Sequence, residues 1–229
     1  MIAGAACCAA WMLSLLTREH SWVDRLWSIL PVVYLWVFAA SAGLADPRLN
    51  LMAVLVTLWG VRLTVNFARK GGYTGTEDYR WAILRERMPR WAFEAFNLFF
   101  IVLFQNAVLL LIALPALTAA QHGGTDLGVL DLAAAAAFLL LLLGETVADE
   151  QQWRFQVAKR ARGGAAPRFV DTGLWRYSRH PNFFFEQAQW WVLFLLGAIA
   201  AGSRATTSPI VPWPPRRRDV AQPSTAGGG

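Results

Sequence analysis

The string Arg176-Tyr177-Ser178-Arg179-His180-Pro181 sets two guanidinium groups, a phenol, a hydroxyl and an imidazole side by side, and Asn182, Glu186 and Gln189 follow at i, i+4 and i+7. Proline fits the first turn of a helix, where no backbone donor is lost, so the string is expected at a loop-to-helix junction. A helix N-terminus attracts anions, and arginines with a histidine beside it suit phosphate or pyrophosphate. A basic anchor flanking a membrane span would also explain Arg176 and Arg179, but not three polar side chains on one helix face. A second polar face is made by Glu145, Asp149, Gln152 and Gln156 at i, i+4, i+7 and i+11. It orients a ligand, or is a helix end meeting headgroups, or is a carboxylate pair neutralised by Arg154 and its neighbours. Arg62 with Asn66, and Gln105 with Asn106, are candidates for polar contacts between helices, and Arg62 has the alternative of snorkelling to a nearby loop. Asp24 reads as solvated or paired with Arg25, and Asp131, close enough to the start of its span to reach the interface, as structural. His20 and His122 stand in loops without partners at ligand spacing, so no metal site is expected.

These groups are carried by a very apolar chain. Of 229 residues, 56% are hydrophobic and 16% charged, against roughly 25% charged in a soluble domain, and the mean hydropathy is +0.37. Six apolar stretches, Ile2 to Leu16 (short), Leu26 to Ala45, Leu49 to Ala68, Ala95 to Ala119, Leu127 to Ala148 and Phe183 to Gly202, approach the length of a membrane helix. The expected fold is therefore all-α, a polytopic membrane protein with about six transmembrane helices. Solid Leu and Ala runs exclude a β-barrel, and no Gly-rich loop follows a strand, which excludes a Rossmann domain. Cys7 and Cys8 are the two cysteines and, as neighbours, offer no disulfide framework. The apolar N-terminus lacks a preceding basic residue and reads as an uncleaved span rather than a signal peptide.

Lys and Arg concentrate after the third and fifth stretches, which places those loops in the cytoplasm by the positive-inside rule. That topology absorbs much of the net charge of +6, so nucleic acid is not an expected partner. The same rule leaves the C-terminal tail outside although it carries Arg204, Arg216, Arg217 and Arg218, as if a span were missing. Residues 1–202 are expected to form one transmembrane domain, and 203–229, rich in Pro, Ser, Thr and Gly, a disordered tail.

The segment Thr172-Gly173-Leu174-Trp175-Arg176-Tyr177-Ser178-Arg179-His180-Pro181-Asn182, with Glu186 and Trp190-Trp191, resembles the C-terminal part of the steroid 5-alpha-reductase superfamily, in particular its bacterial membrane-protein branch. Further similar residues are Ser21 to Ser28, Leu58 to Leu63, Glu77-Asp78-Tyr79-Arg80 and Gly144 to Asp149, so the resemblance covers about Ser21 to Gly202. It implies an oxidoreductase of the bacterial inner membrane that takes NADPH from the cytoplasm and reduces a carbon-carbon double bond conjugated to a carbonyl in a lipid. Asp149, Arg179, Asn182 and Glu186 match positions at or near the family's nucleotide site, and Tyr177 and His180 lie in the same motif. With Glu145 and Arg176 they form the expected NADPH-binding set. The family's catalytic acid lies in its N-terminal half, where Asp24 and Arg62 are the candidates. The chain departs from the pattern at Phe183 and Phe185, where relatives have Tyr and Gly, and in passing from Gly202 almost directly to Thr207-Ser208-Pro209, which suggests a deletion. Isoprenylcysteine-type and phospholipid methyltransferases, which bind S-adenosylmethionine, share an Arg-His-Pro motif before a Glu-bearing helix and are the first alternative. A non-catalytic membrane scaffold is the second.

Overall fold

The computed structural model describes residues 2–17, 19, 21–73, 79–124, 126–162 and 168–207. Arg18, His20, Glu77, Asp78 and the tail from Ser208, including Arg216, Arg217 and Arg218, lie outside the described residues, as do the side chains of Tyr79, Arg80 and Arg204. Among the described residues regular structure is helical throughout: α1 (Ile2–Thr17), α2 (Trp22–Leu26), α3 (Leu30–Ser41), α4 (Pro47–Arg69), α5 (Tyr79–Arg87), α6 (Arg90–Phe96), α7 (Gln105–Gln121), α8 (Val129–Arg162) and α9 (Pro181–Thr207). A π-helical stretch, Asn97–Phe104, fuses α6 to α7 in one rod of 32 residues.

Four of these units, Pro47–Arg69, Arg90–Gln121, Val129–Arg162 and Pro181–Ser203, are long and apolar enough to cross a membrane; α1 and α3 are apolar but shorter. The chain is an integral membrane protein on this ground. Only 17% of the membrane-length stretch of α8 is buried inside the molecule, and Leu140, Leu143, Leu111, Val61 and Trp191 are exposed. Such an apolar exterior is stable only against lipid. The buried seam runs between helices, through Leu35, Met52, Trp59, Leu109, Phe138, Leu193 and Leu196.

Three departures from the expected elements have local causes. The second stretch is broken: α2 ends at Leu26, residues 27–29 turn, and α3 begins at Leu30 with Pro31 in its first turn. There the Ser28 carbonyl presses on α4 at Gly60, where an added Cβ would lie 2.6 Å from it. The π-helical stretch starts at Asn97, fully buried, whose Nδ2 donates to Ser14 Oγ at 3.2 Å across to α1. Finally, α9 continues past residue 202 to Thr207.

Charges hold the far end of the bundle. Asp46 caps α4 by accepting from the Leu49 amide at 2.9 Å, and also accepts from the Gly124 amide at 3.2 Å. Arg48 grips Asp131 through Nε at 2.6 Å and Nη2 at 2.9 Å, and both side chains are almost fully buried. Asp131 is thus structural, as expected, but buried, linking α4 to α8.

Candidate functional site

The helix α8 has 34 residues, about 51 Å at 1.5 Å per residue, far more than a hydrocarbon core of roughly 30 Å. Counting about 20 residues from Val129 brings the membrane boundary to the neighbourhood of Asp149. Its polar face therefore divides, with Glu145 and Asp149 buried in the bundle and Gln152 and Gln156 beyond them towards the basic end.

The buried half is a ladder across three helices. The α9 residues Gln189 and Asn182 donate to α8, Gln189 Nε2 to Glu145 at 2.7 Å and Asn182 Nδ2 to Asp149 at 3.2 Å. Seven residues on one antiparallel helix thus match four on the other. From α4, Arg62 pairs with both carboxylates, through Nη2 with Glu145 and through Nη1 with Asp149 at 2.7 Å. Asn66 Nδ2 donates to the same Asp149 oxygen at 2.8 Å, and Lys70 Nζ stands 3.9 Å from the other. A buried carboxylate must be paired or neutral, and Arg62 supplies the pairing. Arg154 does not: it donates to Glu150 at 2.8 Å, as does Arg69 at 2.7 Å. Nor does Arg62 snorkel. Glu186 lies on the α9 face between Asn182 and Gln189, within electrostatic reach of Glu145, Arg62 and Asp149.

Close helix contact makes the ladder possible. The Phe185 ring lies over Gly144, where a Cβ would come within 2.6 Å of it. Phe185 thus fills the space that the small α8 residue leaves, whereas Phe183 is exposed. Below the ladder Trp59 and Trp190 meet edge to face at 4.7 Å.

Outside the ladder, a cavity of about 480 Å³ is lined by Gln152 and Gln156 of α8 on one side and Arg179 and His180 on the other, with Arg168 and Trp175 between. The Gln152 Oε1 atom is buried and has no hydrogen-bond partner among the described residues. The loop over this cavity is pinned to α8 at two points. Trp175 Nε1 donates to the Ala148 carbonyl at 3.0 Å, and Gln151 Oε1 accepts from the Leu174 amide at 2.9 Å. Gly173 adopts φ +61°, and a Cβ there would lie 2.5 Å from Gln151. Only glycine suits that position.

The expected site residues therefore fall into separate groups. Arg62, Glu145, Asp149 and Asn182 interlock, with Glu186 beside them, and Arg179 and His180 line the cavity. Arg176, in the short 3₁₀ turn Gly173–Arg176, and Tyr177 are exposed and do not line it. Asp24 sits apart in sequence and element, on α2, and Arg25 pairs with Glu19. Sequence reasoning missed Gln151 and Arg168. Gln151 lies off the i, i+4, i+7 face, and Arg168 reads as one more basic loop residue.

The profile of a family described as protein of unknown function (DUF1295) matches residues 10–212. An uncharacterized protein of fission yeast, Schizosaccharomyces pombe, is 40% identical over 212 residues, covering 84% of this chain and 62% of the relative. The chain thus spans about 62% of the length of the curated relative it matches, and the likeness extends to a eukaryote. No solved structure matches it. With the profile running through nearly every described helix, the chain belongs to the DUF1295 family.

Proposed function

We propose that the protein is an NADPH-dependent membrane reductase acting on a carbon-carbon double bond conjugated to a carbonyl in a lipid. The resemblance of the Thr172 to Trp191 segment to the steroid 5-alpha-reductase superfamily suggests the activity, and one observation carries its location: the cavity between Gln152 and the Arg179-His180 pair, at the start of α9. Its lining fits a dinucleotide in kind. Arg168, Arg179 and His180 offer donors to phosphate, and the first amides of α9 lie next to them. The unpartnered Gln152 Oε1 is an acceptor for an amide or hydroxyl donor. When bound, NADPH supplies a hydride to the β carbon of the enone.

The protein's own part is placement. Asp149 and Asn182 hold α8 and α9 together. Arg62 pairs with both Glu145 and Asp149 and so fixes their positions inside the bundle. Glu186 remains as the carboxyl of the cluster without a dedicated donor from the ladder, and it is the group we assign to holding or passing a proton there. The basic loops face the cytoplasm, so that the cavity opens to the soluble nucleotide pool.

NADPH binding to detergent-purified protein, read by nucleotide fluorescence, tests the reading. A charge-assisted bond contributes roughly 1.5–3 kcal/mol, so Arg179→Ala is expected to weaken binding by about 10- to 100-fold. Asn182→Ala should weaken it less, by loosening the contact between α8 and α9. Binding of S-adenosylmethionine without NADPH would replace the proposal with the methyltransferase reading, and binding of neither would leave a scaffold.

A further inference from the structure

The cavity at the start of α9 lies beyond the hydrocarbon. Gln152 and Gln156 line it from α8, three and seven residues past Asp149, which is roughly 5 and 10 Å outside the membrane boundary at 1.5 Å per residue. Facing them is the segment that holds Arg168, Phe169 and Asp171, together with Arg179 and His180. Among the described residues the side chains of Arg168, Arg179 and Asp171 have no hydrogen-bond or ion-pair partner. Phe169 lines the cavity while 72% exposed, and it stands on a loop rather than on a membrane-length helix. Lipid therefore does not account for its exposed ring.

We propose that this cavity takes the adenylate half of NADPH, with the 2′-phosphate at Arg168, the purine on the Phe169 ring and a ribose hydroxyl at Asp171, while the nicotinamide points into the bundle. The inference rests on the proposed reductase and adds the direction in which its cofactor lies. An enone held among acyl chains is below the membrane boundary, so the reactive ring belongs near Glu186, between the Asn182 and Gln189 rungs of the ladder, and not beside Gln156. The opposite end of the cofactor bears the 2′-phosphate and no reacting atom, and it suits the water-facing side. Each partner matches in kind. A guanidinium takes phosphate through charge-assisted bonds, an aromatic ring stacks on a base, and a carboxylate accepts from a ribose hydroxyl. Arg179 and His180, just before the first turn of α9, then meet the diphosphate between the two halves.

Displacement of bound NADPH by fragments of itself, read by nucleotide fluorescence on the full chain in detergent, is the experiment. Adenosine 2′,5′-bisphosphate is expected to displace NADPH, and nicotinamide mononucleotide at the same concentration to leave it bound. Adenosine 5′-monophosphate, which lacks the 2′-phosphate, should compete about 10- to 100-fold more weakly than the bisphosphate. Arg168→Ala should erase that difference, and Phe169→Ala should weaken both adenylates about tenfold. Both side chains are exposed, so neither variant endangers the fold. NADPH that binds but yields to the mononucleotide rather than to the bisphosphate would overturn the orientation and leave the reductase standing. A preference for the bisphosphate that survives Arg168→Ala would do the same. NADPH that does not bind at all would overturn the reductase and the orientation together.

Discussion

Glu145 and Asp149 share the Arg62 guanidinium, but they do not depend on it equally. Asp149 also accepts from Asn66 and Asn182 and has Lys70 nearby, whereas Glu145 has Gln189 as its other donor. Removing one partner of a buried ion pair costs about 3–5 kcal/mol, so Arg62→Ala is expected to lower the thermal unfolding midpoint in detergent substantially. Arg62→Lys should recover part of the loss, since one ammonium cannot serve two carboxylates as a planar fork does. The sharper expectation is a ranking: Glu145→Gln should rescue Arg62→Ala more than Asp149→Asn, because Glu145 is the carboxylate left with less support. Equal rescue by both would show that the donors around Asp149 contribute little. At this scale the sequence is partly transparent. The i, i+4 and i, i+7 spacings on α8 and α9 mark the two faces that meet, because helix geometry alone aligns them. Arg62 as the neutralising cation, rather than nearby Arg154, is a tertiary fact involving a residue 87 positions away from Asp149.

Helices in a bilayer associate through close packing, since lipid removes the hydrophobic drive between them. Gly197 of α9 is such a contact: a Cβ there would lie 2.8 Å from the Pro115 carbonyl and 3.1 Å from the Pro115 Cα of α7. The obstacle is backbone, so α7 and α9 must separate to admit a methyl group. Gly197→Ala is therefore expected to destabilise by roughly 1–3 kcal/mol, the usual range for overpacking. Gly202, on the same helix with nothing within 4 Å of its virtual Cβ, makes the control. Gly202→Ala should be neutral or gain up to about 1 kcal/mol by restricting the unfolded chain. Paired unfolding curves check both, and equal midpoints would deny Gly197 its role in the contact. The main helices are legible in the sequence because runs of Leu and Ala leave no other structure open in lipid. The break at residues 27–29 and the π-helical stretch are not, since they arise where α2, α3 and α1 press on neighbours distant in sequence.

At the scale of the molecule, charge is separated along the bundle. One end carries Arg69, Lys70, Arg154, Arg168, Arg176 and Arg179, and the other the turn through Gly43 and Leu44 and the Arg48 and Asp131 pair. Alternation of the long helices puts Tyr177 and Leu44 at opposite ends, and both are exposed, at 85% and 53%. By the charge bias the Tyr177 end is expected to face the cytoplasm, a requirement if a soluble nucleotide is to reach the cavity beside Arg179. Single cysteines test it directly once Cys7 and Cys8 are replaced, since no other cysteine competes. In sealed right-side-out vesicles a membrane-impermeant maleimide should label Leu44→Cys and spare Tyr177→Cys until detergent is added, and inverted vesicles should reverse the pattern. The opposite result would put the arginine-rich end and the nucleotide cavity outside, away from any NADPH supply, and would sink the proposed reductase while leaving the helical ladder unchanged.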